Sequence, residues 1–252
     1  MDNSLLVNLD HHRSRERIKN LGEVFTPEQY VQQMLALFDS KIWADENVIF
    51  FEPSAGHGNI VLPILAKRIE SLSKKFKRSG EKEPELCAIA TSLNTLWAID
   101  ICPLNVDYSR KRVFEFVFQK LLAAGMRLNS AKTKDFLAHV LCTILWQIQE
   151  NEALSALSNG NSAVQQAAKT KLGSLWLKKN KHKPLSFEDD WCSNFQRQKK
   201  GKVTPLYFER ALKFLDSALF DETTKGFNEF SFARQVIVSS FNKSESKISG
   251  AA

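Results

Sequence analysis

The run Val48–Glu52, "VIFFE", is apolar for four residues and too short for a helix, and "PSAGHGN" follows it at once. A continuous apolar run bounded by turn residues is the pattern of a strand buried on both faces. Gly56 and Gly58, one residue apart, then allow a sharp turn with no Cβ in the way. After them Ile60, Leu62, Ile64, Leu65 and Ile69 resume at helical spacing, with Pro63 confined to the first turn. Strand, glycine turn and helix in this order make one unit of a parallel sheet, because parallel strands need a crossover between them.

A second unit follows. "TLWAIDI" predicts a strand ending in an acid, Asp100, and the segment from Val106 to Leu122 carries Val113, Phe116, Val117 and Leu121 on one helical face. Between the units, "SLSKKFKRSGEKEPE" is the charged tail of the first helix and a solvated loop. Upstream, Tyr30, Val31, Met34, Leu35 and Phe38 predict a helix over Pro27 to Asp39, with Thr26 as its cap and Pro27 in its first turn. Further on, Phe136 to Val140 is helical in pattern, "CTILWQIQ" could form a third strand, and Ser155 to Lys179 is polar, Ala-rich and helical. The fold class is therefore α/β, and 252 residues of which 43% are hydrophobic suffice for a substantial core.

Several functions are excluded on sequence grounds. A P-loop needs Gly-Lys followed by Ser or Thr, which is absent, and a dinucleotide fingerprint needs Gly or Ala where Val61 stands. Cys87, Cys102, Cys142 and Cys192 form no CxxC pair, which points away from a zinc knuckle or disulfide framework and toward a reducing, cytoplasmic setting. No spacing of His11, His12, His57 and His139 suggests a metal site, and His57 is expected to shape the loop. Residues 1–20 lack the apolar core of a secretory signal, and Leu86 to Val106 is too polar for a membrane span. The excess of 35 Lys plus Arg over 28 Asp plus Glu suits a polyanionic partner.

A glycine pair of this kind also serves as a plain tight turn, but Glu52 and Asp100 both end strands at the carboxyl edge of the sheet, where ligands bind in such folds, and one acid can meet an ammonium and the other a ribose diol. "GEVFTPEQYVQQML" followed by "FFEPSAGHGNIVLPIL" resembles the opening of the S-adenosylmethionine-dependent DNA adenine methyltransferases, in the group whose cofactor motifs precede the catalytic motif. The resemblance implies a Rossmann-like methyltransferase sheet with helices on both faces, incomplete at the C-terminus and carrying a helical insertion. It places Thr26 and Pro27 against the cofactor carboxylate. Glu52, Pro53, Ser54, Ala55, Gly56 and Gly58 then form the floor beneath its methionine and ribose. In "LWAIDICP", Asp100 accepts from the ribose hydroxyls and Ile101 packs on the adenine. "ILWQIQENEAL" resembles the next motif, with Glu152 accepting from the adenine amino group.

The same family methylates an unreactive exocyclic amine with an Asn-Pro-Pro-aromatic tetrapeptide that holds a flipped base. Here the seven prolines include no adjacent pair. "FNEFSFARQVIVSSF" resembles the approach to that motif, with Ser239, Ser240 and Phe241 where the reacting residues belong. No catalytic residue is assigned, and the chain is expected to be truncated or degenerate at its active site and inactive alone. The organisation that follows is a leader over 1–20, a cofactor-binding core over 21–157, and a helical, basic segment with the degenerate end of the core over 158–252. DNA is the expected partner, together with a second polypeptide supplying catalysis and target recognition. The alternative is a non-catalytic DNA-binding or assembly subunit that keeps the fold, supported by the basic residues from Lys178 to Lys202 among Trp176, Trp191 and Phe195.

Overall fold

The structure, a computed structural model, describes residues 26–127, 131–157, 167–180 and 184–197. Helix α1 spans Glu28–Ala36 and leads through a 3-10 turn at Ser40–Ala44 into strand β1, Phe50–Glu52. Two helices, α2 (Val61–Arg78) and α3 (Pro84–Asn94), connect it to β2, Leu96–Asp100. Two more, α4 (Pro103–Ala123) and α5 (Ala131–Gln147), lead to β3, Ile148–Glu150. Short helices α6 (Ala153–Ala156), α7 (Lys171–Lys179) and α8 (Trp191–Arg197) follow.

The three strands form one parallel sheet in the order β1-β2-β3, so the fold is mixed α/β. Phe50, Phe51 and Glu52 stand beside Leu96, Trp97 and Ala98, while Ala98, Ile99 and Asp100 stand beside Ile148, Gln149 and Glu150. This register brings the ends of all three strands to one edge. Because side chains alternate along a strand and partners in parallel strands share a face, Phe50, Glu52, Ala98 and Asp100 lie on one side of the sheet. On the other, Phe51 and Trp97 meet the ring of Phe187 edge-on at 5.3 and 5.7 Å.

Proline and amphipathicity explain the helices that carry the sheet. Pro84 and Pro103 each occupy a first turn, where the missing N–H costs nothing. Along α4, Val106, Val113, Phe114, Val117, Phe118 and Leu121 are buried, each large side chain contributing about 1.5–3 kcal/mol of hydrophobic stabilisation. Arg68 of α2 is only 1% exposed, yet its Nη1 donates to the carbonyls of Ile42 and Asp45 at 3.0 and 2.6 Å and its Nη2 to Thr95 Oγ1 at 2.8 Å. Its guanidinium also lies 5.0 Å from the centre of the Phe50 ring. Burial lowers its pKa, and the arginine links the 3-10 turn to the start of β2. At the end of α5 the Gln147 amide donates to the carbonyls of Leu93, Asn94 and Leu96, fixing where β3 begins against β2.

Three local expectations are corrected. The strand proposed for "CTILWQIQ" is confined to Ile148–Glu150, because Leu137, Val140, Leu141, Ile144, Leu145 and Ile148 are buried at helical spacing and the helix continues to Gln147. Thr26 does not cap α1: the N-cap is Pro27, whose ψ of 145° keeps it outside the helix while its carbonyl accepts from Tyr30 and Val31. The apolar face of α1 is only half covered, with Val31 and Leu35 buried and Tyr30 and Met34 exposed, and Phe38 beyond its end is exposed as well. The segment "EPE" after the charged loop opens α3 instead of extending the loop.

Residues 184–197 pack against the core. Leu185 donates to the Ala156 carbonyl, and Trp191, 3% exposed, donates from its indole to His139 Nδ1 at 3.1 Å. No described helix is long and apolar enough to cross a membrane. The leader over 1–20 and the segment Val236 to Phe241 lie outside the described residues.

Candidate functional site at the carboxyl edge of the sheet

The turn after β1 is built almost entirely from its own backbone and from β2 and α4. Glu52 Oε1 accepts from Ser54 N at 2.9 Å, closing the first bend. Ala55 N donates to the Ile99 carbonyl at 2.8 Å, and Gly58 N to the Ala55 carbonyl at 2.8 Å. Gly56 N donates to Asp100 Oδ2 at 2.8 Å. The amides of Ala55, Gly56 and Gly58 are thus all engaged within the fold.

The two glycines have different tasks. Gly56 has φ +50°, and a Cβ there would meet nothing within 4 Å, so its Cα borders open space. Gly58 has φ +84° and is buried, with a Cβ position 3.0 Å from Ser109 Oγ of α4. Close approach at Gly58 therefore serves packing of the loop on a helix, while Gly56 is the glycine a ligand can reach.

Asp100 is 7% exposed and accepts three hydrogen bonds: Gly56 N on Oδ2, and Cys102 N and Asn105 Nδ2 on Oδ1 at 2.8 and 3.3 Å. Its carbonyl accepts from Asn151 N at 3.0 Å, which carries β3 past its last residue. Glu52 lies close enough to feel the Asp100 charge. Burial raises the Glu52 pKa, the Ser54 amide partly offsets this, and repulsion from Asp100 adds to it. Beyond them, Glu150 at the end of β3 is also raised, first by burial, with Arg110 lowering it and Asp107 raising it. The edge is consequently acidic, and a cationic ligand group is favoured there over an anionic one.

The remaining sequence candidates fall as follows. Pro53 and Ser54 are exposed at the rim, Ala55 is buried beneath the loop, and Ile101 is half-buried just past Asp100. Glu152 is 8% exposed, and its Oε2 accepts from Ser155 N at 2.8 Å as the N-cap of α6, so this acid holds a helix end beside the strand edge. Thr26 is half-buried and Pro27 exposed, and among the described residues no hydrogen bond joins Thr26 to Glu52 or Asp100. The geometry brings together Glu52, the glycine turn and Asp100. Among the described residues no group of three or more His, Cys, Asp or Glu is arranged to hold a metal.

Sequence reading missed the contribution of α4. Tyr108 stacks on His57 with ring centres 4.8 Å apart, Ser109 backs Gly58, and Arg112 Nη1 donates at 2.7 Å both to the His57 carbonyl and to Asn59 Oδ1. A signal was present: Asn105, Tyr108, Ser109 and Arg112 recur at three- and four-residue spacing, forming a polar stripe along a helix otherwise rich in Val and Phe.

Comparison with protein-family models, with curated proteins and with solved structures gives no match to this chain.

Proposed function

We propose that the chain is the S-adenosylmethionine-binding portion of a DNA adenine methyltransferase, built on a Rossmann-like sheet. The observation that carries this reading is the meeting of Glu52, Asp100 and the inward-bonded glycine turn at one sheet edge. A turn whose neighbours are acids suits a cationic, hydroxylated nucleoside and disfavours a nucleotide phosphate. Asp100 uses three of about four acceptor positions of a carboxylate and keeps one for a ribose hydroxyl. Glu52 holds Ser54 with Oε1 and offers Oε2 to the ligand ammonium. Gly56 lets the ligand lie directly on the backbone.

When bound, the cofactor supplies an activated methyl group on a sulfonium. This chain contributes position and field to an in-line transfer to the adenine amine. These 252 residues contain no adjacent proline pair, so the acceptor-binding tetrapeptide is not assigned among them.

Thermal unfolding with added S-adenosylmethionine tests the proposal. A ligand at 100 times its Kd stabilises by about 2.7 kcal/mol, a readily measured shift. Stabilisation by S-adenosylmethionine but not by NAD or ATP supports the reading; stabilisation by a nucleotide alone overturns it.

The second reading, a non-catalytic DNA-binding or assembly subunit, is favoured by the basic residues from Lys178 to Lys202. Trp191 does not serve it as a base-stacking platform, since its ring is buried against Trp146 and His139. Salt-sensitive DNA binding without stabilisation by S-adenosylmethionine identifies this alternative.

A further inference from the structure

One face of α4 holds the glycine turn from outside β1: the Tyr108 ring lies on His57, Ser109 stands behind Gly58, and Arg112 donates to the His57 carbonyl and to Asn59. From β2, the Ile99 carbonyl accepts from Ala55 N and Asp100 from Gly56 N. The peptide between His57 and Gly58 is fixed at both ends, its carbonyl by Arg112 and its N–H by the Ala55 carbonyl. Its plane sets how the turn leaves Gly56 and enters α2.

Burial lowers the Arg112 pKa, and only Glu115, one turn along the same helix, offsets this. Glu115 is in turn shared with Lys111, 3.7 Å away. The guanidinium therefore sits partly desolvated behind the loop, and its two 2.7 Å bonds are directed at loop atoms.

We infer that Arg112 is a positioning residue of the ligand site: it locks the exit of the glycine turn as Asp100 locks the entry, so that Gly56 presents a preformed surface. In relation to ligand binding this rests on the cofactor reading above; in relation to loop geometry it stands alone. Both bonds leave one nitrogen, Nη1, whose two N–H groups are fixed in the guanidinium plane, whereas the N–H groups of a lysine ammonium rotate.

The test compares the parent with Arg112→Met and Arg112→Lys by calorimetric affinity for S-adenosylmethionine, urea unfolding, and amide exchange resolved at residues 55–60. The expected result for Arg112→Met is affinity at least tenfold weaker and faster exchange at the turn, with exchange in β2 and α3 unchanged; Arg112→Lys recovers part of both. Parent-like exchange at the turn in Arg112→Met overturns the inference, as does acceleration spread evenly over the chain. Should Arg112→Met fail to fold, Arg112→Lys decides: severalfold weaker binding with a loosened turn supports the inference, and parent values refute it. If the parent itself does not bind S-adenosylmethionine, the cofactor reading falls, and turn exchange alone still decides the role of Arg112.

Discussion

Asp100 Oδ2 accepts the Gly56 N–H at 2.8 Å across 44 residues of sequence, so the acid that ends β2 shapes the turn that ends β1. The same carboxylate holds Cys102 N and Asn105, making it the joint between two βα units. Asp100→Ala is expected to cost about 3 kcal/mol in urea unfolding, because buried donors lose a charged acceptor. Asp100→Asn keeps one acceptor oxygen and should lose roughly half of that. Equal stability of Asp100→Ala and the parent would contradict the structural role.

Gly56 and Gly58 separate by substitution. Both have positive φ, so alanine at either carries about 1 kcal/mol or more of backbone strain. At Gly58 the new methyl also meets Ser109 Oγ, and Gly58→Ala is expected to be the more destabilised of the pair in thermal melts. At Gly56 the methyl enters open space, so Gly56→Ala should lose ligand affinity out of proportion to stability.

Glu52 gives a pH signature. Burial and the Asp100 charge raise its folded-state pKa above the unfolded value, so the folded chain binds a proton the unfolded chain has lost. The corresponding stability is complete below the ordinary carboxylate pKa of about 4.3 and is lost as pH rises through the elevated folded value. Glu52→Gln, which removes the charge, should therefore melt above the parent at pH 7, the gap closing as the pH is lowered to about 4. A cationic ligand lowers the Glu52 pKa, so its binding should release protons in calorimetry across buffers of different ionisation enthalpy.

Arg68 is a structural counterpart without access to a ligand. Arg68→Met leaves the Ile42, Asp45 and Thr95 acceptors without their donor and is expected to cost about 3 kcal/mol or more in urea unfolding. Ligand affinity measured on the folded fraction should stay at the parent value.

The strands β1 and β2 were legible because each is a short apolar run stopped by a turn residue or an acid, and length alone separates such a run from a helix. The start of β3 was not, since Ile144, Leu145 and Ile148 pass from helix to strand with no Gly or Pro between them. Gln147 marks the junction through bonds to residues some fifty positions away, which local pattern does not reveal. At the site, Glu52, Gly56 and Asp100 were visible from their places at strand ends, whereas the Arg112 and Ser109 contacts depend on how α4 lies against the loop. The use of Glu152 Oε2 as the cap of α6 was not legible as such, although the Ser155 amide that it accepts from stands only three residues on.

The sheet also dictates how the chain reaches this arrangement. Phe50 finds Leu96, and Ala98 finds Ile148, each pairing closing a loop of about 50 residues for only three aligned positions. Such closures return little until the helices between the strands have already docked, so the strands should zip last and the chain should refold more slowly than a helical bundle of equal length.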